Sequence, residues 1–371
     1  KNIDCFNATK LGVLANVIDL FNKKYSDFSS IDFEIIENYE SVEYTNYKAR
    51  ENREIILSIL SSQKIKIIDC IKDDYSKKFI DNVICTFYKK FSVDIKSGMQ
   101  IDTNALNIRV IHNKAYYNGI NDPYIESKEN AAIQHITFED FSDNSEAAVA
   151  TIVNELLVKH DLVNRKITLF NWRELDFDGD ITFGMCLPVD KIDKYYFMTI
   201  KPNGSFDIKE QEFDLFNINE YSECVNIFED NKRCFEKIKG VIKDSKGNIN
   251  IIRDTSWYSI PEIDKLKSEL KNGNTYLRNK EKRHELISSC NDIKYFRTDK
   301  EAYYFTGVIG NGMRARVSQA CNIRKIESYK NSEIFFEKML PLMNVSFVRN
   351  GQLTVIPFPF KYLREYISNA Q

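Results

Sequence analysis

Lys66-Ile67-Ile68-Asp69-Cys70-Ile71 reads as a short, mostly apolar strand. Apolar residues at helical spacing follow it within 79–91: Phe79, Ile80, Val83, Ile84 and Phe87. Leu106-Asn107-Ile108-Arg109-Val110-Ile111 then reads as a second strand, and Ala132-Ile133-Gln134-His135-Ile136 as a third. A helix over 146–162 closes the run, with Ala147, Ala150, Val153, Leu156 and Leu157 on its apolar side. Strand and helix alternate, which predicts an open α/β sheet over residues 65–165. Working back towards the start, residues 1–64 read as a helical segment (Leu11, Leu14, Val17, Ile18, Leu20, Phe21) followed by an acidic stretch.

Past residue 165 the grammar changes. Ile181 to Leu187, Tyr195 to Ile200 and Ser205 to Ile208 read as three strands, the last two joined by a Lys201-Pro202-Asn203-Gly204 turn. A helix near 218–228, a strand over 248–252 and a helix opening at Pro261 follow, with Pro placed in a first turn. Three antiparallel strands, a helix, a strand and a helix is the element order of the ribonuclease H fold. The boundary between the two parts is expected between residues 160 and 180.

Composition narrows the function classes. Of the 371 residues, 43% are hydrophobic and 29% charged, which excludes a disordered chain or a fibrous repeat. No apolar run approaches the ~18–20 residues a membrane helix needs, and Lys1-Asn2-Ile3-Asp4-Cys5-Phe6 does not read as a signal peptide. Eight cysteines without a C-x-x-C pair and four histidines argue against structural zinc and suit a reducing cytoplasm. The net charge of −2 hides an asymmetry. Residues 1–250 hold 32 Lys+Arg against 41 Asp+Glu, whereas residues 251–371 hold 20 against 13. An acidic front and a basic back suit a chain that turns one face to a polyanion, though a solvated Lys-rich surface has the same pattern.

Asp176, Asp178 and Asp180 precede a strand at alternate positions, but Ile181 and Leu187 stand where a calcium loop needs Gly and Glu. As paired carboxylates they suit a Mg²⁺-dependent nuclease working with Asp254, the enzyme alternative; a solvated turn is the plainer reading. Gly307-Val308-Ile309-Gly310-Asn311-Gly312 matches neither nucleotide-binding glycine pattern, yet Arg314, Arg316, Arg324 and Lys325 follow it closely. Arg278, Lys282 and Arg283 form a second basic stretch, with His284 one residue too far from Arg278 for a ribonuclease R-x₄-H motif.

Four passages, at 154–159, 249–255, 333–344 and 353–363, stand in an order that resembles Argonaute proteins. Asn154-Glu155-Leu156-Leu157-Val158-Lys159 looks like the helix joining the MID domain to PIWI. Ile249-Asn250-Ile251-Ile252-Arg253-Asp254-Thr255 resembles the strand-Arg-Asp element of PIWI, and 333–344 its late helix. Leu353-Thr354-Val355-Ile356-Pro357-Phe358-Pro359-Phe360-Lys361-Tyr362-Leu363 resembles the closing strand, Pro turn and helix. The chain is too short for the PAZ-containing architecture and is similar to the short, MID–PIWI prokaryotic form. The resemblance implies a Rossmann-like MID domain at 65–165 and a ribonuclease-H-like PIWI domain at 166–371. It implies a guide 5′-phosphate pocket from Lys114, Gln134 and Lys159, with Tyr116 or Tyr117 stacking on the first base and Mg²⁺ at the phosphate. It also implies backbone contacts from Arg253, Arg278, Lys282, Arg283, Arg314, Arg316 and Arg324, guide and target strands as partners, and a separate effector such as an NADase or nuclease. Cleaving members carry an Asp after the Gly of the first PIWI strand, but Gly184 is followed by Met185 and Cys186, and the late Asp or His position falls near Arg364. A lone Asp254 cannot hold two Mg²⁺ ions about 4 Å apart, so binding without cutting is expected. A protein-interaction subunit without nucleic acid is the third alternative.

Overall fold

A computed structural model describes residues 10–31, 39–42, 47–117, 130–139, 145–170, 172–175, 177–189, 192–214, 218–234, 236–258, 293–297, 301–306, 322–343 and 357–370. Helix α1 (Lys10–Tyr25), strand β1 (Tyr39–Val42) and helix α2 (Tyr47–Ser62) come first. A parallel α/β unit follows: β2 (Ile65–Asp69), α3 (Asp74–Phe91), β3 (Ile95–Gly98), β4 (Leu106–Ile111), the single turn α4 (Lys114–Tyr117), β5 (Ala132–Thr137) and α5 (Ser145–Asn164). Helix α3 forms because Asp73 and Ser76 cap it reciprocally, and it stops at Ser92, whose φ of 53° is left-handed. Its buried stripe of Ile80, Val83 and Phe87 covers the sheet. The sheet order is β3-β2-β4-β5, parallel throughout. β4 is buried along its whole length, as a central parallel strand covered on both faces should be.

The second unit contains β6 (Ile181–Val189), β7 (Ile192–Ile200), β8 (Phe206–Gln211), α6 (Ser222–Asp230), β9 (Ile238–Lys243), β10 (Ile249–Tyr258), β11 (Ile293–Arg297), β12 (Glu301–Thr306), β13 (Asn322–Ser328), α7 (Phe336–Met343) and α8 (Pro359–Ala370). Its nine-stranded sheet runs β1-β11-β12-β13-β10-β9-β6-β7-β8, with every pairing antiparallel. One face packs α7 and α8 around Phe183, Met185, Ile252, Ile326, Phe360 and Leu363; the other packs α6 around Phe197, Val241 and Ile251.

Mixed α/β architecture is therefore present, as expected, with one parallel and one antiparallel sheet. Two elements differ from the sequence reading. β9 lies between α6 and the strand near residue 248, and a hairpin through Asp244 and Gly247 turns it straight into β10. The strand-helix-strand crossover expected of a ribonuclease H order gives way at this point to a hairpin. Second, the N-terminal segment is not all helical, because β1 pairs with β11 at the edge of the large sheet. No helix among the described residues is long and apolar enough to cross a membrane.

Candidate functional site

In the small sheet the chain leaves β2 towards β3 on one side, then continues through β4 and β5 on the other. The carboxyl ends of β2 and β4 thus flank the crevice where open α/β sheets bind ligands. Asp69 ends β2. Its carboxylate accepts from the backbone N–H groups of Ile71 and Lys72 (both 2.9 Å) and from Ser76 Oγ (2.7 Å). Beyond β4, the His112 ring stacks on Tyr116 at 3.7 Å between centroids and a 24° tilt. His112 Nδ1 lies 2.5 Å from Glu139 Oε1, and the Asn113 N–H donates to Glu139 Oε2 at 2.8 Å. Burial pulls the Glu139 pKa up, but His112 and the backbone bonds outweigh it and leave it lowered. Tyr116 is 65% exposed, and Lys114, two residues before it, is exposed as well.

Gln134 sits lower on β5, opposite Ile108, whereas β4 ends opposite Thr137. That separates Gln134 from the Lys114 end by about three residues, or ~10 Å of strand. Its Nε2 donates to Glu155 on α5 at 2.9 Å. Lys159, one helical turn after Glu155, has its ammonium 3.5 Å from Glu365 on α8. The structure thus brings Gln134 to the α5 face that carries Glu155, one turn from Lys159. Both predicted phosphate ligands face carboxylates, and Lys114 stands apart at the crevice. Sequence reasoning missed His135 and Arg109, paired across β4 and β5. Burial first, then the charges of Lys159 and Arg109, push the His135 pKa down to about 3. The signal available was a single Arg in one mostly apolar strand and a single His in the next.

In the large sheet, Arg253 is an internal strut and not an exposed strand contact. Its Nε donates to Glu327 at 2.5 Å, Nη2 to Asn231 Oδ1 at 2.8 Å and Nη1 to the Glu236 carbonyl at 3.3 Å, with only 9% of the residue exposed. On the opposite face, Asp254 binds Arg324 Nε at 2.9 Å and Lys239 Nζ at 2.7 Å. Burial raises the Asp254 pKa, but these two bonds prevail and the net shift is downward. At the first-strand position, Met185 is 3% exposed and the Cys186 thiol is pushed up to about 11, chiefly by burial.

The acidic run before β6 lies elsewhere. Asp178 pairs with Lys246 (2.8 Å) in the β9–β10 hairpin, and a Cβ on Gly179 would meet Ser245 at 2.6 Å. Asp254 lies five residues up β10 from Ile249, or ~17 Å of strand. Asp178 and Asp254 cannot share metal ions. Asp176, Arg278, Lys282, Arg283, Arg314 and Arg316 lie outside the described residues. Among the described residues no group of three or more His, Cys, Asp or Glu could hold a metal ion. No protein-family model matches the chain, and no curated protein matches it.

Proposed function

We propose that this chain is a short, MID–PIWI Argonaute-like protein that holds a guide strand and its paired target without cutting them, alongside a separate effector. The observation that carries this reading is the Tyr116–His112 stack beside Lys114 at the switch-point crevice. An exposed aromatic face offers a base a stacking surface worth about 1–3 kcal/mol, and a neighbouring ammonium suits a phosphate. Asp69 and Glu139, the acids described at the crevice, are occupied by internal donors. The same saturation leaves the described residues a poor fit for a protein-held Mg²⁺ at the terminal phosphate. Non-cleavage is supported by Asp254, which is neutralised by Lys239 and Arg324 and remote from Asp178. A partner surface is available on α1, where Val13, Val17 and Leu20 are more than half exposed.

The test is binding of a labelled strand of about 20 nucleotides, with and without a 5′ phosphate, at fixed salt. Wild type should prefer the phosphorylated strand, with Tyr116→Ala weakening both forms and Lys114→Ala removing the preference. Tight binding that ignores the phosphate would discard the pocket and keep the strand. Negligible binding at ~0.15 M salt would favour a protein-interaction subunit.

A further inference from the structure

Asp254 and Arg324 are register partners on β10 and β13, two residues from the paired Ile252 and Ile326. Side chains alternate along strands, so all four project from the same face of the large sheet, the one α8 covers. Phe360 on α8 stands over Gly240, the β9 partner of Ile252; a Cβ there would meet its ring at 2.5 Å. Arg364 follows Phe360 by four residues and so shares its side of the helix. It is exposed as a residue, and its guanidinium makes no hydrogen bond or ion pair with a described side chain, the Ser368 hydroxyl donating only to its backbone carbonyl. Crowding of its guanidinium, first by burial and then by the charge of Arg324, lowers its pKa. Two guanidinium groups that repel each other, with no carboxylate among the described residues paired to Arg364, are an arrangement an anion would relieve.

Asp254 spends its two oxygens on Arg324 Nε and Lys239 Nζ, fixing both cations in place. Arg324 has no other described partner, so its two terminal nitrogens remain to donate. Among the described residues, one carboxylate against three cations leaves a local charge of +2. We infer that Lys239, Arg324 and Arg364 form a phosphate-oxyanion site, organised by Asp254, that takes one phosphodiester group of the bound strand. The source of the phosphate rests on the strand-binding reading; the oxyanion site itself rests on the cations.

The variant is Arg364→Gln, read in two ways. In salt titrations of strand binding it should weaken affinity several-fold and flatten the log–log slope by about 0.7, one phosphate contact on a single strand. In thermal unfolding, inorganic phosphate at constant ionic strength should stabilise wild type more than chloride does, and this difference should vanish in the variant. Without phosphate the variant should melt no lower than wild type, since it relieves repulsion from Arg324, so its losses cannot be ascribed to unfolding. If wild type binds strands and the variant matches it in affinity, slope and phosphate response, the site is overturned while strand binding stands. If wild type binds no strand but keeps a phosphate response that Arg364→Gln removes, the oxyanion site stands and the strand reading falls. An absence of both in wild type overturns both.

Discussion

The protonation of His135 couples directly to folding. An exposed histidine has a pKa near 6.5, and burial with Lys159 and Arg109 nearby takes that of His135 to about 3. A base held neutral in the fold binds its proton more tightly when unfolded. Its contribution is therefore fully present above pH ~6.5 and is lost as pH falls towards 3. Each pKa unit is worth about 1.4 kcal/mol, so the loss is of order a few kcal/mol. Urea midpoints should fall between pH 7.5 and pH 4.5, and His135→Phe should flatten that fall. An unchanged pH profile in the variant would place the acid sensitivity elsewhere. Arg253 teaches the complementary point about legibility. In the sequence it is a positive charge in a basic region, and nothing local reveals that Glu327, 74 residues on, neutralises it. Charge is readable from sequence, whereas pairing depends on which strands become neighbours.

At the scale of elements, α8 ties the two sheets together through one buried carboxylate. Asp161 on α5 is 0% exposed and accepts from Tyr362 Oη (2.8 Å), the Thr168 N–H (2.9 Å) and Thr168 Oγ1 (2.7 Å). Burial, reinforced by Asp161, holds the Tyr362 phenol well above its usual pKa, so it remains a donor. Tyr362→Phe keeps the ring and removes one donor to a buried charge, which should cost about 1–3 kcal/mol in chemical unfolding. A neutral substitution would mean water or relaxation replaces the bond. Gly240→Ala should cost a similar ~1–3 kcal/mol, because the added methyl meets the Phe360 ring at 2.5 Å and the core must shift. The elements that were legible share one property: long periodic or apolar runs, such as β4 and α5, whose burial decides their conformation locally. β3, with only four residues, and β9, with the polar alternation Ile238-Lys239-Gly240-Val241-Ile242-Lys243, carry too little apolar signal to stand out. β9 is specified by its neighbours, since Val241 and Ile242 face cores on opposite sides of the sheet. The candidate site was legible in residue type at Lys114 and Tyr116; the His112 stack is a contact only four residues apart that sequence reasoning missed, and Glu139 reaches His112 only once β4 and β5 are side by side.

For the whole molecule, residues 1–250 carry a net −9 and residues 251–371 a net +7, an asymmetry that suits a polyanion binder. The described cations assigned to a strand are Lys114 at the crevice, Lys239 and Arg324 on the large sheet, and Arg364 on α8. With one phosphate at Lys114 and one shared by the other three, the log–log slope of affinity against salt is about −1.4, and a four-fold rise in salt weakens binding about seven-fold. A flat dependence would remove the phosphate contacts from the account, whatever the affinity. Mg²⁺ separates the readings independently. A nuclease needs two carboxylate-held ions about 4 Å apart, and Asp254 is salt-bridged twice with Asp178 at the far end of its hairpin. Added Mg²⁺ should therefore leave a bound strand intact in wild type and in Asp254→Ala alike. The same substitution should lower the thermal midpoint by releasing Lys239 and Arg324 to repel each other. Mg²⁺-dependent cleavage that disappears in a still-folded Asp254→Ala protein would reverse the conclusion and make the large sheet the seat of an enzyme.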